Sequence, residues 1–128
     1  MYRVIATLTT AGSDGAASAS VSVYPRPGGR LYAVYLDYHA SAPSTTDVTI
    51  SQAEAPEATL LTVSDNKTDG WYFPRQQVCG TDGSALTYDG SHAIVEPFPM
   101  TGGLAVTVAQ GDALTGCVTA YLYIQEDA

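Results

Sequence analysis

Charged side chains are scarce in this chain: Asp, Glu, Lys and Arg make up 14 % of its 128 residues, against roughly 25 % in an ordinary soluble domain. Lysine is nearly missing, with Lys67 alone, and glutamate is confined to Glu54, Glu57, Glu96 and Glu126. Lys and Glu cover the outer faces of most helices, so their loss, beside an abundance of Thr, Val and Tyr, argues against a helical domain and for strands. Clustered positive charge is also lacking. Arg3, Arg26, Arg30, Lys67 and Arg75 are scattered and the net charge is −8, whereas binding to a phosphate backbone requires grouped Lys and Arg. No nucleic-acid partner is expected. The acidic surface suits a neutral or basic partner.

Cysteine is sparse too. Cys79 and Cys117 are too few for a disulfide framework and have no metal-ligand spacing. One bridge between them is a possible reading, and two buried free thiols is the favoured one. The first residues, MYRVIATLTT, alternate with period two and contain no apolar run of signal-peptide length. No segment approaches the ~20 apolar residues of a membrane span. The expected location is the cytoplasm, or an assembly built there.

What the sequence does contain is alternation. The stretch RLYAVYLDYH, residues 30–39, would place Leu31, Ala33 and Tyr35 on one face of a strand and Tyr32, Val34, Leu36 and Tyr38 on the other. Both faces are apolar or aromatic, as in a central strand covered on each side. Strands are also predicted at residues 2–10, 16–24, 45–51, 59–64 and 71–78, with Pro74 forcing an edge or a bulge in the last. The 16–24 strand is built from Ala and Ser, which fits either close approach of a neighbouring chain or a thin exposed strand. A short strand around residues 86–88 and a Pro-bounded one at 93–100 follow. LAVTVAQ and CVTAYLYIQ, joined by GDALTG, read as a closing hairpin before the acidic tail QEDA. Asp-Gly pairs and PRPGG punctuate the pattern. The prediction is an all-β, single-domain β-sandwich over residues 1–128, jelly-roll-like, with about eight or nine strands.

Chemistry is harder to find than architecture. Asp65, Asn66 and Asp69 carry the flavour of a calcium loop but lack the alternating ligands and closing Glu of an EF-hand, so a turn is expected, as at Asp82 and Asp89. Ser91, His92 and Asp89 contain the residue types of a hydrolytic triad, yet neighbours on a strand point apart and there is no GxSxG. With His39 as the only other histidine, the sequence offers no catalytic residue, cofactor or metal site, and an enzyme is the weakest class. The aromatics are more suggestive. Trp71 is expected in the core, with Tyr72 and Arg75 free to meet a partner. Tyr121 and Tyr123 share a face opposite Val118, Ala120, Leu122 and Ile124 and are candidates for protein contact.

The order GRLYAVYLDYHAS, TTDVTIS, ATLLTVSDNKTDGWYFPRQQV, LAVTVAQGDALTGCVTAYLYI resembles small β-rich proteins encoded among the head genes of tailed bacteriophages. TDGWYFPR and the closing strands around GDALTG carry most of the likeness, which runs from residue 30 onward in pattern rather than in an invariant motif. The resemblance implies a β-sandwich that decorates or cements the capsid exterior, with the major capsid protein as partner and a homo-oligomer, a trimer above all. It implies no active site. The competing expectations are another virion component, such as a connector, tail or fibre-base domain, and a carbohydrate-binding jelly roll that uses Trp71, Tyr72 or tyrosines of the 79–92 loop.

Overall fold

The computed structural model describes residues 1–26, 28–100 and 102–126. Pro27, within the PRPGG break, and the last two residues of the acidic tail lie outside the described residues. Ten strands are assigned: β1 (Tyr2–Leu8), β2 (Ala17–Val23), β3 (Arg30–Tyr38), β4 (Asp47–Gln52), β5 (Thr59–Val63), β6 (Gly70–Tyr72), β7 (Arg75–Gln77), β8 (Val95–Pro99), β9 (Leu104–Gly111) and β10 (Val118–Gln125). They form two antiparallel sheets, and the described residues contain no helix.

The larger sheet runs β1-β10-β3-β8-β7, with β6 also paired to β3, and the smaller runs β2-β9-β4-β5. The two inner faces meet in one core. Ala6, Leu8, Leu31, Val34, Leu36, Val118, Ala120, Leu122 and Ile124 come from the larger sheet, and Val48, Ile50, Leu60, Leu104, Val106 and Val108 from the smaller. The expected sandwich is therefore present, and the alternation that predicted it is the alternation of burial along β1, β9 and β10.

Three features depart from the sequence reading. First, β3 is central, lying between β10 and the β6 and β8 strands, but its faces are not the two expected sets. Tyr123 pairs with Ala33 and Ile124 with Leu31, so the register slips at Tyr32. This bulge returns Leu31 to the core face beside Val34, Leu36 and Tyr38 and leaves Ala33 and Tyr35 facing outward. Second, β9 and β10 do not form a hairpin. β9 pairs with β2 and β4, and β10 with β1 and β3. Alternation reports that a strand is buried on one side; it does not say whether the next strand lies beside it or across the core. The GDALTG connection crosses between the sheets and is tied to buried Thr10, whose hydroxyl donates to the Asp112 carbonyl and accepts the Leu114 amide at 3.1 Å. Third, residues 86–88 form no strand and make only an isolated bridge, Thr87 to Ala93.

The β2 strand, with its exposed Ser18, Ser20 and Ser22, is an edge of the smaller sheet. The predicted 71–78 strand breaks into β6 and β7 around Pro74, which has no N–H for a ladder. The cysteines are free; Cys117 is buried as expected, but Cys79 is exposed because it lies in the irregular segment beyond β7.

Tyr38 ends β3 on the core side and is only 6 % exposed. Its hydroxyl has no hydrogen-bond partner among the described residues, since the neighbouring Asn66 amide donates to the Thr68 carbonyl and the Tyr72 hydroxyl. Burial pushes the Tyr38 pKa up to about 12. Between the ordinary tyrosine value and this one, the unfolded chain has lost the proton that the folded chain keeps, so this group lowers stability as pH rises. Tyr38→Phe should leave stability at pH 7 unchanged or raised by about 1 kcal/mol. It should also flatten the fall in stability between about pH 10 and 12, as measured by urea unfolding of both proteins across that range.

Candidate functional site

Once the core has taken one face of β1, β10, β3 and β6, the register fixes what stands on the other. Tyr121 of β10 lies opposite Ile5 of β1 and Tyr35 of β3; Tyr123 lies opposite Arg3 and Ala33; Trp71 of β6 lies opposite Tyr35. The outer face of the larger sheet is therefore aromatic. Tyr35 and Trp71 meet edge to face at 5.0 Å between ring centroids, Trp71 and Tyr123 are tilted at 5.2 Å, and Tyr35 and Tyr121 at 6.2 Å. Phe73, two residues beyond Trp71 on the same side, stacks toward it and meets Tyr32 edge to face. Such rings stabilise the sheet across strands, but Trp71 and Phe73 remain 52 % and 56 % exposed. A core Trp71, expected from the sequence, is thus replaced by a surface one. The parity of β6 decides this: Tyr72 is the residue turned toward the core, where it packs against the buried cluster.

Arg3, Tyr35, Asp37, Trp71, Tyr121 and Tyr123 line an open depression of about 280 Å³ in this face. Arg3 lies over the Tyr121 ring, 5.3 Å from its centroid. Among the described residues neither Arg3 nor Asp37 makes an ion pair or a side-chain hydrogen bond, unlike Arg26 with Glu126 and Arg30 with Glu96. Arg75 reaches the far end of the patch, 5.1 Å from the Tyr32 centroid, and is held by the Tyr32 and Pro74 carbonyls at 2.8 Å.

The structure thus gathers Tyr121, Tyr123 and Arg75 on one face and turns Tyr72 away from it. Arg3, Tyr35 and Asp37 were not marked as site residues in the sequence, whereas Phe73 reads there with Trp71 as a core anchor or an exposed platform and is exposed. Period-two parity does place Phe73 with Trp71 and would have placed Tyr35 with Asp37, but no local signal shows which strands become neighbours.

A second unsheltered surface lies between β7 and β8. Residues 78–94 form an arm in which Val78, Leu86 and Ile94 bond in a ring: the Val78 amide to the Ile94 carbonyl, Ile94 to Leu86, and Leu86 to Val78, at 2.9, 3.1 and 2.8 Å. Gly83 and Gly90, both at φ +85°, make the turns at the arm's two ends. Asp82 accepts the Ser84 amide at 2.9 Å, and Asp89 accepts those of Ser91 and His92 at 2.9 and 2.7 Å. These bonds hold both carboxyls below their ordinary value, Asp89 at about 2, with the His92 amide the largest cause. The arm is tied through its backbone and turns yet leaves Leu86, Tyr88 and Ile94 exposed, next to exposed Val95 at the start of β8.

Ser91, His92 and Asp89 do converge, contrary to the expectation from a straight strand, because they sit in a turn. The Asp89 carboxylate and the Ser91 hydroxyl both approach Nδ1 of His92. A relay needs the acid on one ring nitrogen and the nucleophile on the other, so this is a turn with a histidine in it. Asn66 closes its own turn on the Thr68 amide at 3.2 Å, and Asp69 accepts the Tyr38 amide at 2.7 Å. No group of three metal-binding side chains occurs among the described residues. No protein family, curated protein or solved structure matches the chain.

If the aromatic face is a surface rather than core, Trp71→Ala should cost about 1–2 kcal/mol, in line with lost ring pairs. Leu122→Ala, in the core, should cost about 2–5 kcal/mol. Urea midpoints of the two variants, read against the parent chain, check the difference.

Proposed function

We propose that this chain is a structural protein of a tailed-bacteriophage virion, bound to the outer surface of the capsid as a decoration or cement protein. Its partner is the major capsid protein, it acts as a homo-oligomer, a trimer in the favoured form, and it is assembled in the host cytoplasm. It works by protein contact and not by catalysis. The observation that carries this reading is the arm: Leu86, Tyr88 and Ile94 are 44 %, 70 % and 38 % exposed on a segment already held by its own backbone bonds, and Val95, at the start of β8 beside it, is 53 % exposed. Exposed apolar groups on a pre-ordered segment favour docking, because little ordering entropy remains to be lost. The arm's two carboxylates are held in its turns by its own amides, so the turns that carry the apolar groups are fixed before any partner arrives. The net charge of −8 suits the outside of a particle better than its DNA-facing side.

The test is co-sedimentation with phage heads that lack the protein. The parent chain should bind saturably at a stoichiometry set by the shell's symmetry. A variant with residues 79–93 replaced by Asn-Gly should keep its strand content by circular dichroism, since the Val78 amide and the Ile94 carbonyl already bond at 2.9 Å. It should remain unbound. A parent chain that ignores heads would overturn the virion reading, and an armless chain that binds equally well would overturn the arm as the contact.

A further inference from the structure

We infer that the depression on the outer face of the larger sheet is a binding site for a neutral pyranose ring of a glycan. Its walls are the rings of Tyr35, Trp71, Tyr121 and Tyr123, and its polar groups are the Arg3 guanidinium and the Asp37 carboxylate. A guanidinium only donates hydrogen bonds and a carboxylate only accepts them. Both side chains are exposed, and apart from the contact of Arg3 with the Tyr121 ring neither makes an ion pair or a side-chain hydrogen bond within the described chain, so a ligand that displaces their water is favoured when it offers acceptors to one and donors to the other. A purely apolar ligand satisfies neither. Arg3 and Asp37 stand on strands on either side of β10, opposite Tyr123 and Thr119, so an anion would match only Arg3 and a cation only Asp37. A ring of hydroxyls meets both demands, because each hydroxyl donates and accepts. The same ring presents a face of C–H groups that lies flat on an aromatic side chain, and Trp71 offers such a surface, half in solvent and braced by Tyr35 at 5.0 Å and Tyr123 at 5.2 Å.

Rigidity supports the inference. Arg3, Tyr35, Asp37, Trp71, Tyr121 and Tyr123 all stand on strands β1, β3, β6 and β10, whose pairing is continuous across the site. A platform built on hydrogen-bonded strands loses little freedom on binding. The site is also small and open, which fits one sugar unit of a longer chain rather than an enclosed ligand. It is independent of the capsid contact: the arm and the aromatic face share no residue.

The chain has a single tryptophan, so its emission reports on the site directly. Cellohexaose, maltohexaose, a mannohexaose and a β-linked galactose oligomer, each titrated to about 10 mM, serve as probes, since weak sugar sites lie near the millimolar range. At least one should change Trp71 emission saturably and give matching chemical-shift changes at Asp37 and Tyr35 amides. Asp37→Ala and Tyr123→Ala should each weaken that binding by about tenfold or more, and Leu86→Ala, on the arm, should leave it unchanged. Absence of saturable change with every probe would overturn the site. So would equal affinity in Asp37→Ala and Tyr123→Ala with both variants folded, or tighter binding of choline or glucuronate than of any neutral oligomer.

Discussion

One register slip governs this molecule. Opposite Tyr123 and Ile124, β3 carries an extra residue at Tyr32, and the side chains before and after it therefore keep to the core without strict alternation. The bulge brings Leu31 to the core beside Val34, Leu36 and Tyr38, while ordinary alternation beyond it sets Tyr35 and Asp37 on the outer face beside Tyr121 and Thr119. A one-residue shift in a strand exchanges its two faces. The core of the larger sheet and the aromatic face on its back are consequently two results of the same pairing. The bulge also puts Tyr32 where its ring meets Phe73 and Arg75.

Much of the fold was legible because burial of one side leaves a period-two trace. The inward sets of β1 and β10 stood in the sequence as Val4, Ala6, Leu8 and as Val118, Ala120, Leu122, Ile124, and they pack as written. Pairing left no such trace. LAVTVAQ and CVTAYLYIQ alternate equally well as a hairpin or as strands facing each other across a core, and the pairing of β9 with β2 and β4 and of β10 with β1 and β3 shows the second arrangement. The 78–94 arm was opaque for a different reason. Its order comes from single backbone bonds and Asx turns, which have no period.

The candidate site was half legible. Tyr121 and Tyr123 were marked by opposing a fully apolar set, and the need to pair them with something pointed to a surface. The sequence reads Trp71 and Tyr72 in reverse, since three consecutive aromatics give no parity of their own; β6 takes its parity from β3, where Tyr35 opposes Trp71. Arg3 and Asp37 looked like isolated charges in a chain poor in them. Their meaning lies in the strands that bring them to one depression without a counter-ion, and non-local pairing is what a sequence read strand by strand omits.

The central claim is that the back of the larger sheet is an exposed aromatic face and not a second buried layer. Acrylamide quenching of the single tryptophan tests it most directly. The account predicts emission at the wavelength of a solvated indole in the native chain, quenched efficiently and with little further gain on unfolding in urea. A blue-shifted emission that resists acrylamide until the chain unfolds would place Trp71 in the core and contradict it.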